Sequence, residues 1–106
     1  MVNPWAGEVE VVLNGEPHRA KLTLGALAEL ETALQVGSLV DLAQRFECGK
    51  FSARDVIVLL VAGLRGGGWQ GNAEAFCRME IKGGPIEAAR LAAELLARAF
   101  TFPDET

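Results

Sequence analysis

Few residues in this chain have the chemistry for a reaction or a metal. The single histidine is His18, and the two cysteines, Cys48 and Cys77, lie far apart with no CxxC spacing. A structural zinc site takes four ligands, usually Cys and His, and these three fall short. The cysteines are expected to be reduced, half-buried thiols. Nucleophilic catalysis needs a nucleophile with a base in reach. His18 sits between Pro17 and Arg19 in an alternating stretch, which suits an exposed or half-buried strand histidine. There is no tyrosine to act as a proton donor. The carboxylate pairs Glu8/Glu10 and Glu29/Glu31 are each two residues apart. On a helix that spacing diverges by about 200°, which suits solvation rather than a shared proton. The run Gly63-Leu-Arg-Gly-Gly-Gly68 lacks the Gly-Lys-Ser/Thr end of a phosphate loop. It follows a predicted helix, so it reads as a flexible hinge or a helix stop. No catalytic, cofactor-binding or metal site is expected, and hence no enzyme.

Residues able to hold a partner are easier to find. Trp5 and Trp69 flank glycine-containing segments, where a large aromatic either closes the core or anchors a partner. Arg65 stands at the glycine hinge. Leu91 and Leu95 lie off the apolar seam assigned below to the last helix and would form a spare ridge, a hint of a partner or self-association surface. These five are the candidate contact residues. Leu91→Asp with Leu95→Asp is then expected to leave the fold intact while abolishing binding.

The elements that must position them follow from periodicity. Val9, Val11 and Leu13 alternate, Asn14-Gly15 tolerates a type I′ turn, and His18, Ala20, Leu22 and Leu24 alternate after it, so residues 8–24 read as a β-hairpin. Residues 1–7 form an N-terminal arm. From Leu24 the period becomes helical. Leu27, Leu30 and Leu34 form one stripe, with Thr23 or Gly25 as the start and Val36-Gly37 as the stop. Ser38-Leu-Val-Asp41 resembles a capping box before a second helix, with Leu39, Leu42, Ala43 and Phe46 on one face to about Glu47. Ser52-Ala-Arg-Asp55 opens a third helix to Arg65, apolar all round and therefore central; the rival reading is a buried strand, because Val56, Ile57, Val58 and Val61 are β-branched, and the cap and the length favour the helix. Asn72 caps a short helix from Ala73 to about Ile81. Pro85 opens the last helix, with Ile86, Ala89, Ala93, Leu96 and Phe100 toward the core and Glu87, Arg90, Glu94 and Arg98 on a charged strip. Residues 25–100 make the helical part and 101–106 an acidic tail. The fold class is α+β: one domain, 1–106, with a hairpin followed by four or five short helices.

Composition agrees. Half of the 106 residues are apolar and 23% are charged, which excludes intrinsic disorder for most of the chain. A net charge of −4 argues against nucleic acid. The longest apolar run, Val56 to Leu64, is too short to span a membrane. The N-terminus lacks the pattern of a secretory signal, so the expected compartment is the cytoplasm.

Read together, Asn3-Pro-Trp-Ala-Gly-Glu8, Leu22-Thr-Leu-Gly-Ala-Leu-Ala-Glu-Leu-Glu31 and Phe51-Ser-Ala-Arg-Asp55 leading to Ala62-Gly-Leu-Arg-Gly66 resemble the small tail protein of gene transfer agents, phage-like particles that carry host DNA between bacteria. The resemblance spans about residues 3 to 100. That family is described both as a tail tube protein and as a tail assembly chaperone. The resemblance implies a role in building a long tail, with the tape-measure protein or the tail tube protein as partner; the spare ridge adds a homo-oligomer as a further form. A chaperone would keep the tape-measure protein soluble during assembly; the alternative is a structural component retained in the particle. One hairpin is a small sheet for a tube subunit, which favours the chaperone.

Overall fold

The computed structural model describes residues 7–34 and 39–99. Trp5, Val36-Gly37, Ser38, Phe100 and the 101–106 tail lie outside the described residues.

The alternating apolar residues build the expected hairpin. Strand β1 (Val9–Leu13) pairs antiparallel with β2 (Glu16–Ala20), Leu13 opposite Glu16 and Val9 opposite Ala20. Val9, Val11, Leu13 and Ala20 are buried. Asn14 and Gly15 both have positive φ, 51° and 83°, as a type I′ turn requires. Asn14 also ties the hairpin to a distant segment. Its N–H donates to the Glu80 carbonyl at 2.8 Å and its Oδ1 accepts the Glu80 N–H at 2.9 Å, while the Lys82 N–H donates to the Val12 carbonyl at 3.0 Å. Ile81 bridges Leu13. Residues 80–82 thus add an abbreviated strand to the outer edge of β1. The helix expected from Ala73 to Ile81 therefore stops short, as α4 (Ala73–Cys77), capped by Asn72 Oδ1 on the Ala75 N–H. Backbone committed to a strand ladder cannot also close helical turns.

The hairpin ends sooner than expected. Thr23 caps α1 (Leu24–Leu34), its Oγ1 accepting the Ala26 N–H at 3.1 Å. Leu24 thereby becomes the first helical residue and is 86% exposed. Helix α2 (Leu39–Glu47) buries Leu42 fully and stacks Phe46 on Phe51 with centroids 4.6 Å apart. Helix α3 (Ala53–Gly66) opens on the expected capping box: Ser52 Oγ accepts the Asp55 N–H at 3.1 Å and Asp55 Oδ2 accepts the Ser52 N–H at 2.9 Å. It packs against α1, α4, β2 and the last helix, α5 (Gly84–Ala99), and is central as its sequence implies.

Two expectations about small residues need correction. The glycine run does stop α3, which ends at Gly66 with Gly67 as its cap, but it is a close-packing contact more than a hinge. Cβ atoms at Gly66 and Gly67 would lie 2.1 Å from the Lys21 carbonyl oxygen and 2.0 Å from that of Arg19. Only glycine lets the end of α3 press on the backbone of β2 and its extension. Cys48 and Cys77 are free and exposed rather than half-buried; Cys77 ends a one-turn helix that buries only Phe76.

The main correction concerns α5. Leu91 and Leu95, expected on an outer ridge, are 5% and 1% exposed, and Ile86, expected in the core, is 85% exposed. The helix has three faces, set about 120° apart by its 100° turn per residue. One carries Ala88, Leu91, Ala92 and Leu95 with Leu96, which is in the core as expected, one Ile86, Ala89, Ala93 and Ala97, and the third the charged residues. Both apolar faces carry helical periodicity; side-chain volume decides between them. The leucine face excludes more apolar area from water, and it meets Gly63 of α3, where a Cβ would sit 2.8 Å from Leu95 Cδ1. The expectation that Leu91→Asp with Leu95→Asp leaves the fold intact fails for the same reason.

Candidate protein-docking site

The five candidate contact residues do not form one surface. Arg65 is exposed at the end of α3, 3.8 Å from Glu29 of α1. Trp69 is half-buried, its indole edge-on to Phe76 with centroids 6.5 Å apart. Leu91 and Leu95 are core, and Trp5 lies outside the described residues. Trp69 walls an open cleft of about 640 Å³ with Glu10, Pro17, His18, Arg19, Gly67, Gly68 and Gln70. His18 is half-buried, and its Nε2 is buried with no hydrogen-bond partner. Gly67 lies against the Arg19 carbonyl here, and just past β2 the Lys21 N–H donates to the Gly63 carbonyl at 2.8 Å. Among the described residues there is no His/Cys/Asp/Glu group suited to a metal, and no helix is long and apolar enough to cross a membrane.

A different surface has the character of a docking face. Between α2 and α5 runs an apolar groove of about 530 Å³, lined by Val40, Ala43, Phe46 and Glu47 on one side and Ala93, Leu96 and Ala97 on the other. Small residues line much of it, allowing a third helix to approach closely. Val40, on its rim, is 57% exposed. The α2 wall is held by three contacts: buried Leu42, the Phe46–Phe51 stack, and an ion pair at 3.4 Å between Arg45 Nη2 and Asp55 Oδ1. Asp55 is buried and also closes the α3 capping box, so one carboxylate fixes the start of α3 and the position of α2.

The other wall continues beyond α2. Ala89, half-buried against the core, and exposed Ile86 continue the second apolar face of α5 toward its N-terminus beyond the groove, so that this face spans about 16 Å from Ile86 to Ala97 at 1.5 Å per residue. Beside it the charged face is braced internally: Arg90 bonds Glu87 and Glu94, and Arg98 bonds Glu94 and donates to the Glu8 carbonyl at 3.0 Å. The hydrogen bond from Arg90 lowers the Glu87 carboxyl below its ordinary range. Sequence reasoning missed Val40, Phe46, Ile86, Ala93 and Ala97 as contact residues. The signal was present in α5, whose two apolar stripes exceed what one core takes.

The described residues thus form a small α+β domain with an apolar groove between two helices. The chain matches over residues 6–101 the family described as "Phage tail tube protein, GTA-gp10", and it belongs to that family of gene transfer agent and phage tail proteins. No curated protein and no solved structure matches it.

Proposed function

We propose that the chain is a tail assembly chaperone that docks an amphipathic helix of a tail protein, the tape-measure protein foremost, and is released before the tail is complete. The trough between α2 and α5 carries this reading. It is largely apolar, has three alanines in its lining, continues into the apolar face of α5 toward Ile86, and has one wall fixed by buried contacts. An amphipathic helix lying in such a groove anchors through residues at i, i+3 or i+4, and i+7. The sheet supports the same reading. A tube wall built from strands needs free edges to join neighbours, whereas here residues 80–82 take one edge of β1 and the end of α3 lies against β2. The role is non-catalytic, needs no cofactor, and belongs to the cytoplasm of the particle-producing cell.

A second reading is favoured by the family's own description. A tail tube protein is a component that stays in the finished tail, and that description fits a retained subunit better than a chaperone. In that case the trough is a permanent interface. Quantitative mass spectrometry of purified particles beside the lysate of producing cells separates the two. Abundant chain in the lysate with none in particles supports the chaperone; stoichiometric presence in particles overturns it in favour of the retained component.

A further inference from the structure

We propose that the trough is closed at rest by a second copy of the chain, in a two-fold, antiparallel pairing of α5 helices that seats each copy's Ile86 in the other's groove. The inference rests on the docking role above, because it makes self-association and client binding compete for one surface.

The geometry is self-complementary. Ile86, 85% exposed, is a knob at one end of the apolar face of α5. The groove, walled by Ala93 and Ala97 of the same face, is a hole at the other end. Knob and hole are about 10–16 Å apart along one helix. Two such faces laid antiparallel fill both holes with both knobs and close as an isologous dimer. Laid parallel, knob meets knob and hole meets hole.

Charge selects the same arrangement. The groove end carries Glu47 on its lining, while Arg45, the basic residue of α2, is turned to Asp55. The knob end carries exposed Lys82, just ahead of α5, with no ion pair among the described residues. Antiparallel pairing brings Lys82 of one copy toward Glu47 of the other, and opposite charges at an interface rim fix register. A contact of about three helical turns falls below the roughly 1,000 Å² expected of a stable interface. The dimer is therefore weak enough for a client helix to displace.

Sedimentation of the purified full-length chain across a wide concentration range tests this. Wild type is expected to shift from monomer to dimer as concentration rises. Ile86→Asp is expected to weaken the dimer at least about tenfold with circular dichroism and Tm unchanged. Lys82→Glu should weaken it too, and adding Glu47→Lys to that variant should restore it. A chain that stays monomeric throughout, an Ile86→Asp protein that dimerises like wild type, or a charge swap without rescue overturns the proposal. Particle composition is read separately, so a monomeric chain absent from particles leaves the chaperone standing, and a dimer present in particles leaves only the pairing.

Discussion

At the scale of single residues, the tightest constraint is the approach of α3 to β2. A methyl group at Gly67 would sit 2.0 Å from the Arg19 carbonyl oxygen, and backbone cannot swing aside as a long side chain can. Gly67→Ala is expected to destabilise by about 1–3 kcal/mol, seen as a Tm lower by several degrees in thermal denaturation. Gly25, in the first turn of α1 with only Thr23 Oγ1 at 3.9 Å, is the control. There alanine should be neutral or stabilise by up to about 1 kcal/mol, because it removes freedom from the unfolded chain only. If both variants melt alike, the close approach is not what the glycine serves. The Glu87–Arg90 pair makes a second residue-scale prediction. The Glu87 carboxyl is lowered by the hydrogen bond from Arg90. A carboxyl lowered on folding contributes stability that is present at neutral pH and is lost as pH falls through its folded value. Being exposed, the pair contributes little to stability, so the measurement is direct. Carboxyl-carbon NMR should place the Glu87 midpoint below the ordinary glutamate value, and Arg90→Gln should raise it.

Between residue and molecule, elements are held by a few shared groups, and Asp55 is the most heavily shared. It closes the α3 capping box and pairs with Arg45 of α2. Ser52→Ala removes half of the cap and should cost about 1 kcal/mol. Asp55→Ala removes the other half and also leaves Arg45 without its counter-charge. It is expected to cost about 1–2 kcal/mol more, at the lower end because Arg45 is partly solvated. The informative measurement is local: hydrogen exchange should quicken across α2 in Asp55→Ala and not in Ser52→Ala. Equal exchange in the two would mean that Leu42 and Phe46 hold α2 unaided. The capping box, the Asn14-Gly15 turn and the Asn72 cap were legible in the sequence because each is a bond between residues at most three apart. The end of α4 was not, because it is set by Glu80 bonding Asn14, 66 positions away. Nor was the inward face of α5, where two apolar stripes compete and the choice depends on Gly63 of another helix. The spare apolar surface was anticipated on α5, but on the leucines instead of the alanines.

For the whole molecule, one core serves every layer. Val9, Val11 and Leu13 of the hairpin join Leu59, Leu60 and Leu64 of α3 and Leu91, Leu95 and Leu96 of α5 in a single buried cluster. A two-stranded sheet is at best marginal in water, so this hairpin exists because its dry face is part of that cluster. The hairpin should therefore have no melting transition of its own. Val11→Ala, at a fully buried site, should cost about 1–3 kcal/mol through lost transfer energy and cavity. It should lower the transitions of the helical signal and of the tryptophan fluorescence together, since Trp69 packs on the same cluster. Separate transitions would mean that the hairpin is an appendage to a helical core. The contrast lies on α5. Leu95→Asp buries a charge in this cluster and should abolish folding, whereas Ala93→Glu, two residues away on the trough face, should fold with a near-normal Tm yet lose its hold on a helical partner. Circular dichroism with partner capture on both variants decides whether core and docking face are separate surfaces of one helix. Unfolding of Ala93→Glu would merge them and leave the trough as packing alone.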